Sequence, residues 1–84
     1  GPTLEIFTYT ALEDRLTTTV NRPGFAHIAF AVDDVPAARE AVIAAGGRAV
    51  GEVVTTSIAT GAQVTWCYVT DPESNIIELQ AWSL

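Results

Sequence analysis

The chain is predicted to fold as an α+β domain of βαβββ type, with one mixed β-sheet and one helix, preceded by an extra strand. Three observations carry this. Short runs of β-branched and aromatic residues recur along the chain, bounded by glycine, proline and acidic turns. A single helix signal follows the second run and three more strand-like runs follow the helix. The 84 residues, 49% of them hydrophobic, allow one small domain with a core.

Each element has its own justification. Leu4 to Tyr9 alternates and is rich in β-formers, so it reads as the first strand. Residues 10–24 have no clean period, and Asn21-Arg22-Pro23-Gly24 closes them as a linker with turn chemistry. Residues 25–32 make the second strand. Asp33-Asp34-Val35-Pro36 starts the helix, because an acidic side chain caps free backbone N–H groups and a first-turn proline gives up none that is needed. Ala38, Ala41, Val42 and Ala45 line one face of that helix, and Gly46-Gly47 supplies a left-handed stop. Residues 48–57 and 62–70 are β-like around a turn at Ala59-Thr60-Gly61. Asp71-Pro72-Glu73-Ser74-Asn75 is a second turn, and residues 75–82 form the last strand.

Composition narrows the function. Net charge is −6, from ten acidic residues against four arginines and no lysine, which argues against nucleic acid or an anionic membrane as partner. Metal ions, cationic ligands and small organic molecules remain open. No run approaches the roughly 20 apolar residues of a membrane span, and no secretory signal is visible. The single cysteine, Cys67, excludes an intrachain disulfide and suits a reducing compartment, so a cytoplasmic location is expected.

Side-chain direction points to the chemistry. Successive strand residues face opposite sides, so His27, Ala29 and Ala31 share one face and Ile28, Phe30 and Val32 the other. The large face suits the helix; the small face leaves space beside the only histidine. In the last strand Ile76, Glu78, Gln80 and Trp82 share a face. A glutamate among apolar strand neighbours is costly unless paired or coordinated. A histidine and a carboxylate at inward positions of two strands can share a divalent metal. A lone strand histidine is more often structural than a ligand, and Glu5 alone reads as a solvated edge residue. Tyr9, Trp66 and Tyr68 line a pocket or, more in keeping with their type, pack in the core or at the surface. Cys67 reads as a small core residue, and Asp33-Asp34 as helix capping rather than catalysis. Thr3-Leu4-Glu5-Ile6-Phe7 and Asn75-Ile76-Ile77-Glu78-Leu79 look like two copies of one strand, each with a central glutamate.

The segment from Pro23-Gly24-Phe25-Ala26-His27 through Asp33-Asp34, the following helix, the Gly-Gly stop and Asp71-Pro72-Glu73-Ser74-Asn75-Ile76-Ile77-Glu78-Leu79 resembles the vicinal oxygen chelate superfamily. That group includes glyoxalase I, extradiol dioxygenases, methylmalonyl-CoA epimerase and the bleomycin- and fosfomycin-resistance proteins. The resemblance covers about residues 23–82, with residues 3–9 as the tail of a preceding copy. It implies that two βαβββ modules pair around a metal, each giving a ligand from its first and last strands. Residues 1–24 are then the last strand of a preceding module with its linker, and residues 25–84 a whole module. His27 and Glu78 match the second module's metal ligands and Glu5 the last-strand ligand of the first. Ser74 stands where the family's turn commonly has glycine. The rest of the preceding module is absent, so the chain reads as a fragment, with Gly1-Pro2 either a tag remnant or native turn residues.

The resemblance implies a glyoxalase-like metal-dependent lyase or isomerase, with a dioxygenase activity also open, acting on a small oxygen-bearing substrate. Zinc, nickel, iron or manganese would bind its vicinal oxygens, and Glu78 would act catalytically on a proton. The alternatives are a metal-free binder of the bleomycin-resistance type, or an inactive fragment. A homodimer is expected, each module covering the other's open face.

Overall fold

The computed structural model describes residues 1–83. Its elements run β1 (Ile28–Ala31), α1 (Val35–Ala44), β2 (Arg48–Ser57), β3 (Gln63–Thr70) and β4 (Ile76–Ser83). They form one four-stranded mixed sheet in the order β1-β4-β3-β2, with β1 parallel to β4 and the other pairs antiparallel. This is the βαβββ arrangement expected from the sequence.

The helix begins where the acidic pair predicts. The Asp34 carboxylate accepts from the Ala37 amide at 3.0 Å, and Pro36 sits in the first turn. At the other end Gly46 takes a φ of 103°, and the Gly47 amide donates back to the Val42 carbonyl at 2.9 Å. Gly47 is fixed by space as well: a Cβ there would collide with the Thr70 carbonyl oxygen on β3.

The helix lies on one face of the sheet, where Val35, Cys67, Val69 and Leu79 form the buried core and Ala38, Val42, Val53, Ile77 and Ala81 pack around them. Full burial of the valine and leucine side chains contributes roughly 1.5–3 kcal/mol each. Strand alternation then sends Trp66, Tyr68, Glu78, Gln80 and Trp82 to the opposite, open face. The β2–β3 register shifts between Val50 and Val54, and Arg39 of the helix donates to the Gly51 carbonyl in this bulge at 3.1 Å.

Two expectations need correction. The extra strand at residues 4–9 is not formed: residues 1–27 contain neither strand nor helix. Alternating β-formers make a strand only beside a hydrogen-bonding neighbour, and residues 4–9 have none among the described residues. The strand expected over 25–32 is also shorter, because Ile28 pairs with Ile77 near the start of β4 and upstream residues run past the end of the ladder. Phe25 is fully exposed there.

The β3–β4 turn anchors the N-terminal segment. Asp71 Oδ1 accepts from the Glu73 and Asn75 amides, and Oδ2 from the Asn75 side chain at 2.7 Å. Burial pushes the Asp71 carboxyl up, but these hydrogen bonds and the Arg15 charge outweigh it and hold it below its ordinary value. Arg15 donates to Asn75 and Thr18 to the Ser74 carbonyl. Ser74 itself sits at φ 69°, the left-handed region expected of glycine, at a cost of roughly 1 kcal/mol. Its hydroxyl offsets part of that by accepting from Arg48 at 3.1 Å.

Candidate metal centre

The open face carries the two residues singled out by the sequence. Glu78 is set by β4, flanked in register by Ala29 of β1 and Tyr68 of β3. His27 stands one residue before β1, so its ring reaches back over the sheet. His27 Nε2 and Glu78 Oε1 lie 3.1 Å apart, with 27% and 15% of their side-chain surfaces accessible. The alanines at positions 29 and 31 leave the room that a larger side chain would fill.

The surroundings constrain both groups. The Tyr68 ring meets the His27 ring edge-on at 4.9 Å and 73°, and Trp66 meets Tyr68 in the same manner at 5.5 Å. On the other side the Gln80 amide donates to Glu78 Oε2 at 2.6 Å, and the Trp82 indole N–H donates to Gln80 Oε1 at 2.8 Å. Sequence alternation placed Gln80 and Trp82 on this face but gave no sign that they form a chain of hydrogen bonds ending on the glutamate.

The donor set suits a divalent first-row ion as far as it goes. Two ligands with metal–donor distances of about 2.0–2.2 Å, at tetrahedral to octahedral angles, stand about 2.8–3.6 Å from each other. The 3.1 Å separation of His27 Nε2 and Glu78 Oε1 falls inside that range. Imidazole and carboxylate on one open face could thus hold such an ion as two of its ligands. Among the described residues no third histidine, cysteine, aspartate or glutamate joins them. Glu5 is exposed in the irregular N-terminal segment and is not brought to the pair.

The other candidates fall elsewhere. Tyr9 is exposed and lies against Phe7, with ring centroids 6.2 Å apart. Cys67 is fully buried on the helix side; burial pushes its thiol up, the Arg39 charge opposes that and the Glu78 charge adds to it, which makes it an inert core residue. A cavity of about 700 Å³ runs along the β1 side under the N-terminal segment, with Leu4, Ile6, Phe25, Ile28 and Ile77 in its wall. It touches the His27–Glu78 pair at His27 but not at Glu78. No helix among the described residues is long and apolar enough to cross a membrane.

Known proteins bear on the fold and the family. The family model of the Glyoxalase/Bleomycin resistance protein/Dioxygenase superfamily matches residues 2–79. The crystal structure of a glyoxalase family protein from Bacillus cereus superposes with a TM-score of 0.71 at 26% identity, over 86% of this chain. That match takes in 46% of the Bacillus protein, so the chain spans less than half its length. No curated protein matches the chain.

Proposed function

Because the chain belongs to the glyoxalase, bleomycin resistance protein and dioxygenase superfamily, we propose that it is one module of a metal-dependent lyase or isomerase of the glyoxalase type. The observation that carries this reading is the convergence of His27 Nε2 and Glu78 Oε1 to 3.1 Å on the open face of the sheet. His27 and Glu78 would hold zinc, nickel, iron or manganese. A bound ion supplies Lewis-acid polarisation of two adjacent substrate oxygens.

The chain's own residues account for the remaining chemistry. Tyr68 packs against the His27 imidazole in a T-shaped contact, and Gln80 holds one Glu78 oxygen, leaving Oε1 directed at the histidine side. From there Glu78 would be placed to take a proton from a bound substrate's carbon and return it. The remaining ligands come from a second module. A second copy of the chain, related by two-fold symmetry, supplies it across the open face, where Trp82 is 58% exposed. Sedimentation at micromolar concentration should accordingly give a dimer; a monomer would rule that assembly out.

A second reading is supported by the hydrogen bonds themselves. Both Glu78 oxygens and His27 Nε2 have protein partners, as a binder of the bleomycin-resistance type that uses no metal would require. With the aromatic residues beside it and a net charge of −6, such a site suits a cationic ligand. Elemental analysis of the full-length protein separates the two. The enzyme reading expects about one divalent first-row ion per site, retained through dialysis. Metal-free protein that takes up no added ion would leave the binder.

A further inference from the structure

The hydrogen-bond chain on β4 has a direction, and the direction assigns a role. Trp82, Gln80 and Glu78 alternate along one strand, so all three side chains rise from the same face in a row. An indole N–H only donates. Its partner on Gln80 at 2.8 Å must therefore be the amide oxygen, Oε1. That turns the amide nitrogen toward Glu78, where it donates to Oε2 at 2.6 Å. Reversing the amide would set two donors against each other at Trp82 and two acceptors against each other at Glu78. Gln80 is thus held in one of its two orientations.

From this we propose that Gln80 is a positioning residue for Glu78, oriented in turn by Trp82, and that the pair presets the glutamate for ligation. The proposal rests on the metal reading given above. A glutamate with 15% of its side-chain surface accessible still has several rotamers open to it. Clamping Oε2 removes that freedom and leaves Oε1 3.1 Å from His27 Nε2. Ala31 and Trp66, the register partners of Gln80 on either side, give a small and a large neighbour and no competing charge.

The test uses the full-length protein and zinc alone. Gln80→Met keeps the shape of the side chain but removes both the donor to Glu78 and the acceptor for Trp82; Trp82→Phe removes only the outer donor. Loss of an outer partner of this kind lowers metal affinity roughly 10- to 100-fold. Gln80→Met is expected to weaken zinc binding about tenfold or more, Trp82→Phe by a smaller factor in the same direction, and His27→Ala most of all. In the metal-free protein, Gln80→Met and Glu78→Gln are both expected to shift the Trp82 indole ¹H–¹⁵N resonance, identified by its loss in Trp82→Phe. A merely structural glutamine would not transmit a change at Glu78 to that indole. The proposal is overturned if His27→Ala abolishes zinc binding while Gln80→Met leaves it within twofold, or if the indole resonance ignores Glu78→Gln. Zinc affinity untouched by His27→Ala would defeat the metal reading instead, with the indole shifts still deciding whether the relay exists.

Discussion

Two segments of this chain carry nearly the same pattern and meet different fates. Thr3-Leu4-Glu5-Ile6-Phe7 and Asn75-Ile76-Ile77-Glu78-Leu79 both alternate around a central glutamate. The second contributes the first half of an inner strand, bonded to β1 on one side and β3 on the other, with Leu79 in the core and Glu78 held by His27 and Gln80. The first is irregular: Ile6 and Phe7 are exposed, and Glu5 is joined to no metal-ligand cluster. The difference lies in pairing rather than in local preference. A β pattern states which side chains would share a face, and a neighbouring strand decides whether there is a face to share.

Substitutions can break or sharpen that contrast. The largest effect is expected at Gly47, where a Cβ meets the Thr70 carbonyl oxygen rather than a movable side chain. Gly47→Ala should cost roughly 3 kcal/mol, enough in urea unfolding to melt a marginal domain. Unfolding indistinguishable from the parent chain would mean that the helix does not close onto β3 as described.

A smaller effect is expected at Asp71, whose carboxyl is held below its ordinary value in the fold. Its stabilisation is present above the unfolded value, about 3.9, and is lost as pH falls through the lower folded value. Asp71→Asn should therefore cost about 1 kcal/mol near neutral pH, with the gap to the parent closing below about pH 3.9. A gap independent of pH would contradict this.

The smallest effect is expected in the unpaired copy. Ile6 has no regular-structure hydrogen bonds to lose, so in this chain Ile6→Pro should change stability by less than about 0.5 kcal/mol. The equivalent change at Ile77, in register with Ile28 and Val69, removes a ladder donor and should unfold the module. Equal effects at the two sites would erase the contrast.

The sequence carried much of this, unevenly. The Asp34 cap, the Gly46-Gly47 stop and the common face of His27 and Glu78 were legible because each follows from local geometry: capping chemistry, a left-handed turn, the two-residue period of a strand. The left-handed turn at Ser74 was visible as a departure from the expected glycine. Other features were not legible. The length of β1 depends on where β4 begins, and the β2 bulge on pairing with β3. The links from Trp82 to Gln80 to Glu78 needed distances that alternation alone does not give. The ligand status of Glu5 depends on a partner for residues 4–9, which no local pattern specifies.

The most direct measurement is a double-mutant cycle on divalent metal binding by the full-length protein, with zinc affinity measured for the parent, His27→Ala, Glu78→Ala and the double variant. If the two side chains share one ion, each single substitution lowers affinity about 100-fold or more, and the double variant is far less impaired than the product of the two. Affinity unchanged in both single variants would contradict the assignment of His27 and Glu78 as a metal pair.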